Sequence, residues 1–182
     1  MNRLKRLLAD RRGMVLTVEV AMLLPMLLLL TAGAIEAGLM LMTDASLEMA
    51  VRMASRYGIT GAGGADRETT IRKIILAGVG RWMGDKGTLT LDMKVYTSFD
   101  NIGKPEPFVD ANNNGTWDEG ETYTDSNKNG HWDPDMGIAG AGGAGDVMLY
   151  SVTISRPGFS GVLGIAGITQ LTFSRQMAVQ NE

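Results

Sequence analysis

Two short acidic stretches carry the residues best suited to chemistry in this chain, and that chemistry is the holding of a hard cation. The first runs Asp110, Ala111, Asn112, Asn113, Asn114, Gly115, Thr116, Trp117, Asp118, Glu119, Gly120, Glu121, and fits D-x-[DN]-x-[DN]-G-x5-E throughout. Side-chain oxygens of Asp110, Asn112, Asn114, Asp118 and Glu121, with the Thr116 carbonyl, are the set that surrounds Ca2+ in such loops. Gly115 permits the sharp turn that gathers them. Fifteen residues on, Asp125, Asn127, Asn129, Gly130, His131, Asp133 and Asp135 repeat the pattern, and Trp117 and Trp132 take the same place in each copy. The second copy has Met136 at its twelfth position. Asp135 is shorter and one residue early, so this site is expected to be weaker or to share a ligand. His131 falls where a backbone carbonyl serves, with its ring expected in solvent. Oxygen-only ligands favour Ca2+, one or two ions, over transition metals. The alternative is that Asp, Asn and Gly stand here as turn formers.

Only Thr122, Tyr123 and Thr124 separate the two loops, too few residues for flanking helices. The pair is therefore similar to the EF-hand-like loops of dockerin or thrombospondin-type repeats rather than to an EF-hand fold. Residues 100–146 hold ten carboxylates against two lysines, so a cation would order a stretch that otherwise repels itself.

The elements around this insert must position it. Leu47, Ala50, Val51 and Ala54 recur at helical spacing, marking a buried face on a helix through Tyr57. Gly58–Gly64 breaks that helix. A second is expected from Asp66, as N-cap, to about Met83, with Ile71, Ile74, Ile75 and Val79 inward. Thr88–Tyr96 alternates, placing Leu89, Leu91, Met93 and Val95 on one face of a strand. Val147–Ser155 and Gln170–Val179 read as two further strands, the last with Leu171, Phe173 and Met177 inward. The glycine-rich run Gly161–Gly167 links them, its apolar residues facing the membrane surface or a partner.

The N-terminal part sets the class of the whole. Val15–Met42 is broken only by Thr17, Glu19, Thr31 and Glu36 among apolar and small residues, and Pro25 lies inside it. At ~1.5 Å per residue this helix exceeds the ~30 Å hydrocarbon core of a bilayer. Basic Arg3, Lys5, Arg6, Arg11 and Arg12 precede it, and Asp44 and Glu48 follow, which predicts the N-terminus in the cytoplasm. Glu36 is expected near the outer interface as a solvated group. Glu19 is either an interfacial charge or the partner of a positive group on a neighbouring subunit. A secretory signal peptide is the rival reading, with Ala32, Gly33 and Ala34 in the A-x-A form and a start at Ile35. Net charge is −3, and beyond residue 43 there are 12 basic and 17 acidic side chains, so bulk electrostatics exclude nucleic acid as a partner. There is no cysteine, hence no disulfide.

The run Arg12-Gly13-Met14-Val15-Leu16-Thr17-Val18-Glu19-Val20-Ala21-Met22-Leu23-Leu24-Pro25, then Ile35-Glu36-Ala37-Gly38 and the small-residue helix to Arg56, resembles the TadE-like family of pilus assembly proteins. These are pseudopilins of tight-adherence (type IVb) pilus systems. Residues 147–182 resemble the family more weakly, and the middle does not. The resemblance implies a prepilin peptidase that cuts after the glycine, Gly13, and a glutamate at the fifth mature position that neutralises a neighbour's new N-terminal amine. Glu19 is sixth counting from Met14; a cut after Met14 would make it fifth.

The expected fold is α+β and pilin-like: a long N-terminal transmembrane helix with a small antiparallel sheet ectodomain. Its parts are a cytoplasmic basic leader (1–13), the transmembrane helix (14–43), a helical and first-strand part (44–99), the acidic calcium-loop insert (100–146) and C-terminal strands (147–182). The expected role is a non-enzymatic pseudopilin-like subunit, single-pass in a bacterial inner membrane, with its C-terminal domain periplasmic or extracellular. Its partners would be other pilus or pseudopilin subunits, the inner-membrane assembly machinery and a prepilin peptidase. The alternative is a membrane-anchored or secreted calcium-dependent adhesion module unrelated to pili. One histidine, no cysteine and no phosphate loop leave little for catalysis.

Overall fold

The computed structural model describes residues 12–60, 66–140 and 142–182, with the side chains of the first helix from Thr17 onward. The basic run from Arg3 to Arg11 and most of the glycine break after Gly58 lie outside these residues, as does the side chain of Met14 beside Gly13. Helix α1 is Arg12–Ile59. Leu, Met and Ala dominate it, residues that lose little side-chain freedom in a helix. It passes through Pro25 without ending. Nearby, the Thr31 hydroxyl donates to the Leu27 and Leu28 carbonyls at 2.8 and 3.0 Å.

Two compact units divide the chain: one takes it up to Met42 together with Pro157–Leu171, the other holds Thr43–Arg156 with Thr172–Glu182. In the first unit the α1 side chains from Val18 to Leu30 stand largely exposed, the pattern of a helix meant for lipid. Glu36 departs from its expected solvated state. It is 1% exposed, and its carboxylate accepts the backbone N–H groups of Phe159 and Ser160 at 3.2 and 2.8 Å. A buried carboxylate needs such donors, because an unpaired one is costly. Helix α3 (Val162–Ile165) lies in the same linker.

The second unit is built on the amphipathic part of α1. Leu47, Ala50, Val51 and Ala54 are buried, as their spacing predicts. They pack with Ile71, Ile75 and Val79 of helix α2 (Arg67–Met83) and with the sheet. Burying each such aliphatic side chain contributes about 1.5–3 kcal/mol. The two helices come close where Gly78 faces Ala50: a Cβ on Gly78 would lie 2.6 Å from the Ala50 Cβ. Asp66 stands at the N-cap of α2, but its side chain makes no capping hydrogen bond, so that expectation holds for position and not for chemistry.

The sheet has β1 (Thr88–Tyr96), β2 (Ile138–Ala139), β3 (Val147–Arg156) and β4 (Leu171–Gln180) in the order β2-β1-β3-β4. β1 pairs antiparallel with β3 from Thr88 opposite Ser155 to Tyr96 opposite Val147. Leu89, Leu91 and Met93 thus stand beside Ile154, Val152 and Tyr150 on the core face. On the other face Thr153 meets Ser174 and Ser151 meets Gln176, each at 3.2 Å. One number falls as the other rises, so β4 runs antiparallel to β3. The two-residue β2 had no sequence signal. Arg156, the last residue of β3, is a second surprise: it is 1% exposed, bonded to the Thr43 hydroxyl at 3.3 Å, with its guanidinium 5.5 Å from the Phe173 ring centre.

Candidate metal centre

The insert is a pair of loops joined back to back. Phe108 and Tyr123 form an isolated antiparallel bridge, flanked by hydrogen bonds from Val109 N–H to Thr122 and from Thr124 N–H to Pro107, both 2.8 Å. Trp117 and Trp132 stack between the loops, centroids 5.0 Å apart and planes within 10°. Tyr123 meets the edge of Trp117, and Phe108 that of Trp132. Each such pair contributes about 0.5–1.5 kcal/mol beyond burial. The aromatic repeat is therefore the core that lets a charged, strand-poor segment hold shape.

Within each loop the same bonds recur. Asp110 accepts the N–H groups of Asn114 and Gly115 at 3.1 and 2.8 Å; Asp125 accepts those of Asn129 and Gly130 at 3.1 and 2.8 Å. The Asn112 and Asn127 amide oxygens each accept the N–H two residues on, at 3.0 Å. Asn114 and Asn129 do the same toward Thr116 and His131, at 2.8 and 2.7 Å. The amide N–H groups of Asn112 and Asn114 both donate to one Asp118 oxygen, and those of Asn127 and Asn129 to one Asp133 oxygen. Gly115 and Gly130 have φ of 79° and 83°, and Asn113 and Lys128 share φ near 60° (59° and 61°). A left-handed lysine costs roughly 1–2 kcal/mol, which the loop geometry must offset.

The twelfth position is where the loops differ in sequence and agree in space. In the first loop the Glu121 carboxylate accepts Ala111 N–H at 2.9 Å and Asp118 N–H at 3.0 Å. In the second, Glu106 accepts Ser126 N–H at 2.6 Å and Asp133 N–H at 3.2 Å. Backbone follows side chain: Glu121 N–H donates to the Asp118 carbonyl at 3.1 Å, and Glu106 N–H to that of Asp133 at 2.9 Å. Glu106 is fully buried. It was absent from the expected ligand set, although it lies fifteen residues before Glu121, the offset that also separates Asp110 from Asp125.

Asp135, expected to fill that role, has different partners. It bonds Lys94 Nζ at 2.6 Å and the Tyr96 hydroxyl at 2.9 Å, tying the insert to β1. Burial pushes the Asp135 carboxyl up, but Lys94, the Gly137 N–H and Tyr96 outweigh it and hold it below its ordinary 3.8. Lys94 is raised above 10.5, chiefly by its hydrogen bond to Asp135. A cavity of about 410 Å3 beside the pair is lined by Asn127, Asn129, Asp133 and Asp135, leaving the second loop open to solvent. His131 is exposed and Thr116 presents its hydroxyl to Asn114 at 2.9 Å.

The donor set fits a hard cation better than a soft one. Among the described residues no three His, Cys, Asp or Glu side chains gather as a ready metal cluster. Carboxylates alternate instead with asparagine amides: the oxygens of Asn112, Asn127 and Asn129 each accept one N–H and keep a second lone pair, while that of Asn114 also accepts the Thr116 hydroxyl. Such mixed oxygen sets suit Ca2+.

The other expected site residues lie on α1. Glu19 is exposed on the helix, seven residues after Arg12. Among the described residues α1 is the one helix long and apolar enough to cross a membrane, from Thr17 onward. Residues 14–56 match the family model of TadE-like protein. The match covers the apolar helix and its amphipathic continuation and stops short of α2, the sheet and the insert. No curated protein and no solved structure matches the chain.

Proposed function

We propose that the chain is a non-enzymatic, pseudopilin-like membrane subunit used in assembling a tight-adherence (type IVb) pilus, with an insert stabilised by one or two Ca2+ ions. The observation that carries this reading is a coincidence: the TadE-like match, residues 14–56, overlaps nearly all of the apolar helix Thr17–Ile59. On this reading α1 anchors the chain in the bacterial inner membrane by a single pass, N-terminus cytoplasmic. A prepilin peptidase acts at Gly13 or Met14. Glu19, set in apolar surroundings, meets a positive group on a neighbouring subunit, because either charge alone is costly in lipid. Calcium would be held by Asp110, Asn112, Asn114, Thr116, Asp118 and Glu121 in one loop. In the other it would be held by Asp125, Asn127, Asn129, His131 through its carbonyl, Asp133 and Glu106. When bound, it would neutralise the carboxylates that crowd the insert.

A second reading, a calcium-dependent adhesion module that only uses the helix as an anchor, is favoured by the insert lying outside the matched residues. Deletion and complementation separate the two. Loss of surface pili on deletion, restored by the intact chain, supports the assembly role. Unchanged pili with reduced calcium-dependent attachment supports the second reading.

A further inference from the structure

The linker between β3 and β4 carries an apolar surface that neither the loops nor the core explains. From Pro157 to Ser174 the chain has no charged residue. Phe159, Ile165 and Ile168 are 48%, 76% and 44% exposed, and Ile165 is as exposed as Met22 in the middle of the apolar helix. Monomeric soluble surfaces avoid such contiguous apolar exposure unless something covers it.

The position of this linker on α1 says what covers it. The Glu36 carboxylate holds the N–H groups of Phe159 and Ser160, and the linker up to Leu171 forms one compact unit with this part of α1. From Thr17 to Ile35 the helix rises about 28 Å at ~1.5 Å per residue, close to the ~30 Å hydrocarbon thickness. Glu36 interrupts the apolar run near its outer end, and a hydrocarbon core counted from Thr17 puts it at the boundary between acyl chains and headgroups. The linker is pinned at that boundary, with Ile165 largely exposed and Phe159 and Ile168 about half exposed.

We propose that Pro157–Ile168 is a second membrane contact, an interfacial loop that sets Phe159, Ile165 and Ile168 among the lipid headgroups and upper acyl chains. Glu36 is its tether. The proposal rests on α1 spanning the bilayer. Apolar burial at an interface binds in proportion to area, and aromatic residues favour that depth. The loop would resist tilting of the span.

The absence of cysteine gives a direct test. Single variants Ile165→Cys and Leu28→Cys of the full chain are nitroxide-labelled in phosphatidylcholine–phosphatidylglycerol nanodiscs. Collision with oxygen and with a water-soluble nickel chelate then reports depth. The expected result is an Ile165 label favouring oxygen over nickel, at a shallower depth than the Leu28 label. Adding Glu36→Ala should move the Ile165 label toward the nickel accessibility of free label. A deep Leu28 label with a water-exposed Ile165 label overturns the loop contact alone. An Ile165 label shielded from both reagents also overturns it, pointing to another protein copy as the cover. A water-exposed Leu28 label overturns the span and the loop together.

Discussion

Glu106 and Glu121, fifteen residues apart, hold backbone N–H groups at equivalent positions of two successive loops, Glu106 with that of Asn127 in addition. One lies before the loop it serves and the other ends its own loop. The Phe108–Tyr123 bridge makes this possible, because it brings the start of the first loop alongside the start of the second.

Glu106→Gln should therefore damage the second loop as Glu121→Gln damages the first. Each replaces a charged acceptor of backbone N–H groups, two for Glu121 and three for Glu106, by a neutral one, at a cost of about 1.5–3 kcal/mol. Urea unfolding followed by tryptophan fluorescence checks this, since Trp117 and Trp132 stack at 5.0 Å and report on both loops. Met136→Glu should not rescue Glu106→Gln, since the Met136 N–H bonds the Lys104 carbonyl, whereas the backbones of Glu106 and Glu121 bond the Asp133 and Asp118 carbonyls of the loops they serve.

Calcium should raise the melting temperature of the insert, and a chelator should lower it. A single site filled at about 100 times its Kd contributes about 2.7 kcal/mol. Asp110→Ala and Asp125→Ala should each remove part of the calcium-dependent shift, and the double variant all of it. A shift of the same size in the double variant would leave the loops as turn structures.

The Asp135–Lys94 contact should give a shallow acid limb to stability. The carboxyl is held below 3.8, so its contribution is present above that pH and fades as pH falls through the lowered value. Lys94 is raised, so its share is present below 10.5 and fades only above it. Both side chains are about a third exposed (29% and 33%), which limits the pair to about 1 kcal/mol or less. Asp135→Asn should flatten the limb below pH 4 in a pH-resolved thermal melt, by no more than about that amount.

Two neighbours on α1 should respond very differently to truncation. Leu47 is fully buried, and Leu47→Ala should cost about 2–5 kcal/mol. Met49 is 66% exposed, and Met49→Ala should change stability by about 0.5 kcal/mol or less. Denaturant titration in detergent distinguishes them.

Periodic elements were legible in the sequence and aperiodic ones were not. The α1 face of Leu47, Ala50, Val51 and Ala54, the α2 face of Ile71, Ile75 and Val79, and the alternation of β1 all appear where spacing puts them. β2 could not be read, since two residues define no period. Glu36 in α1 was expected to be solvated and is buried, and the burial of Arg156 at the end of β3 had no sequence signal, because their partners, the 159–160 backbone and Thr43, are distant in sequence. Glu106 could have been found. The fifteen-residue period of the loops, carried back from Glu121, falls on Glu106, ahead of the first loop.

The most direct test of the account is the intact mass and N-terminal residue of the protein purified from its native membranes. A pilus subunit anchored by α1 predicts a chain that begins at Met14 or Val15 and stays in the membrane fraction. A chain that begins at Ile35 and is released would have lost Glu19 and most of the apolar span, and would contradict the assembly role.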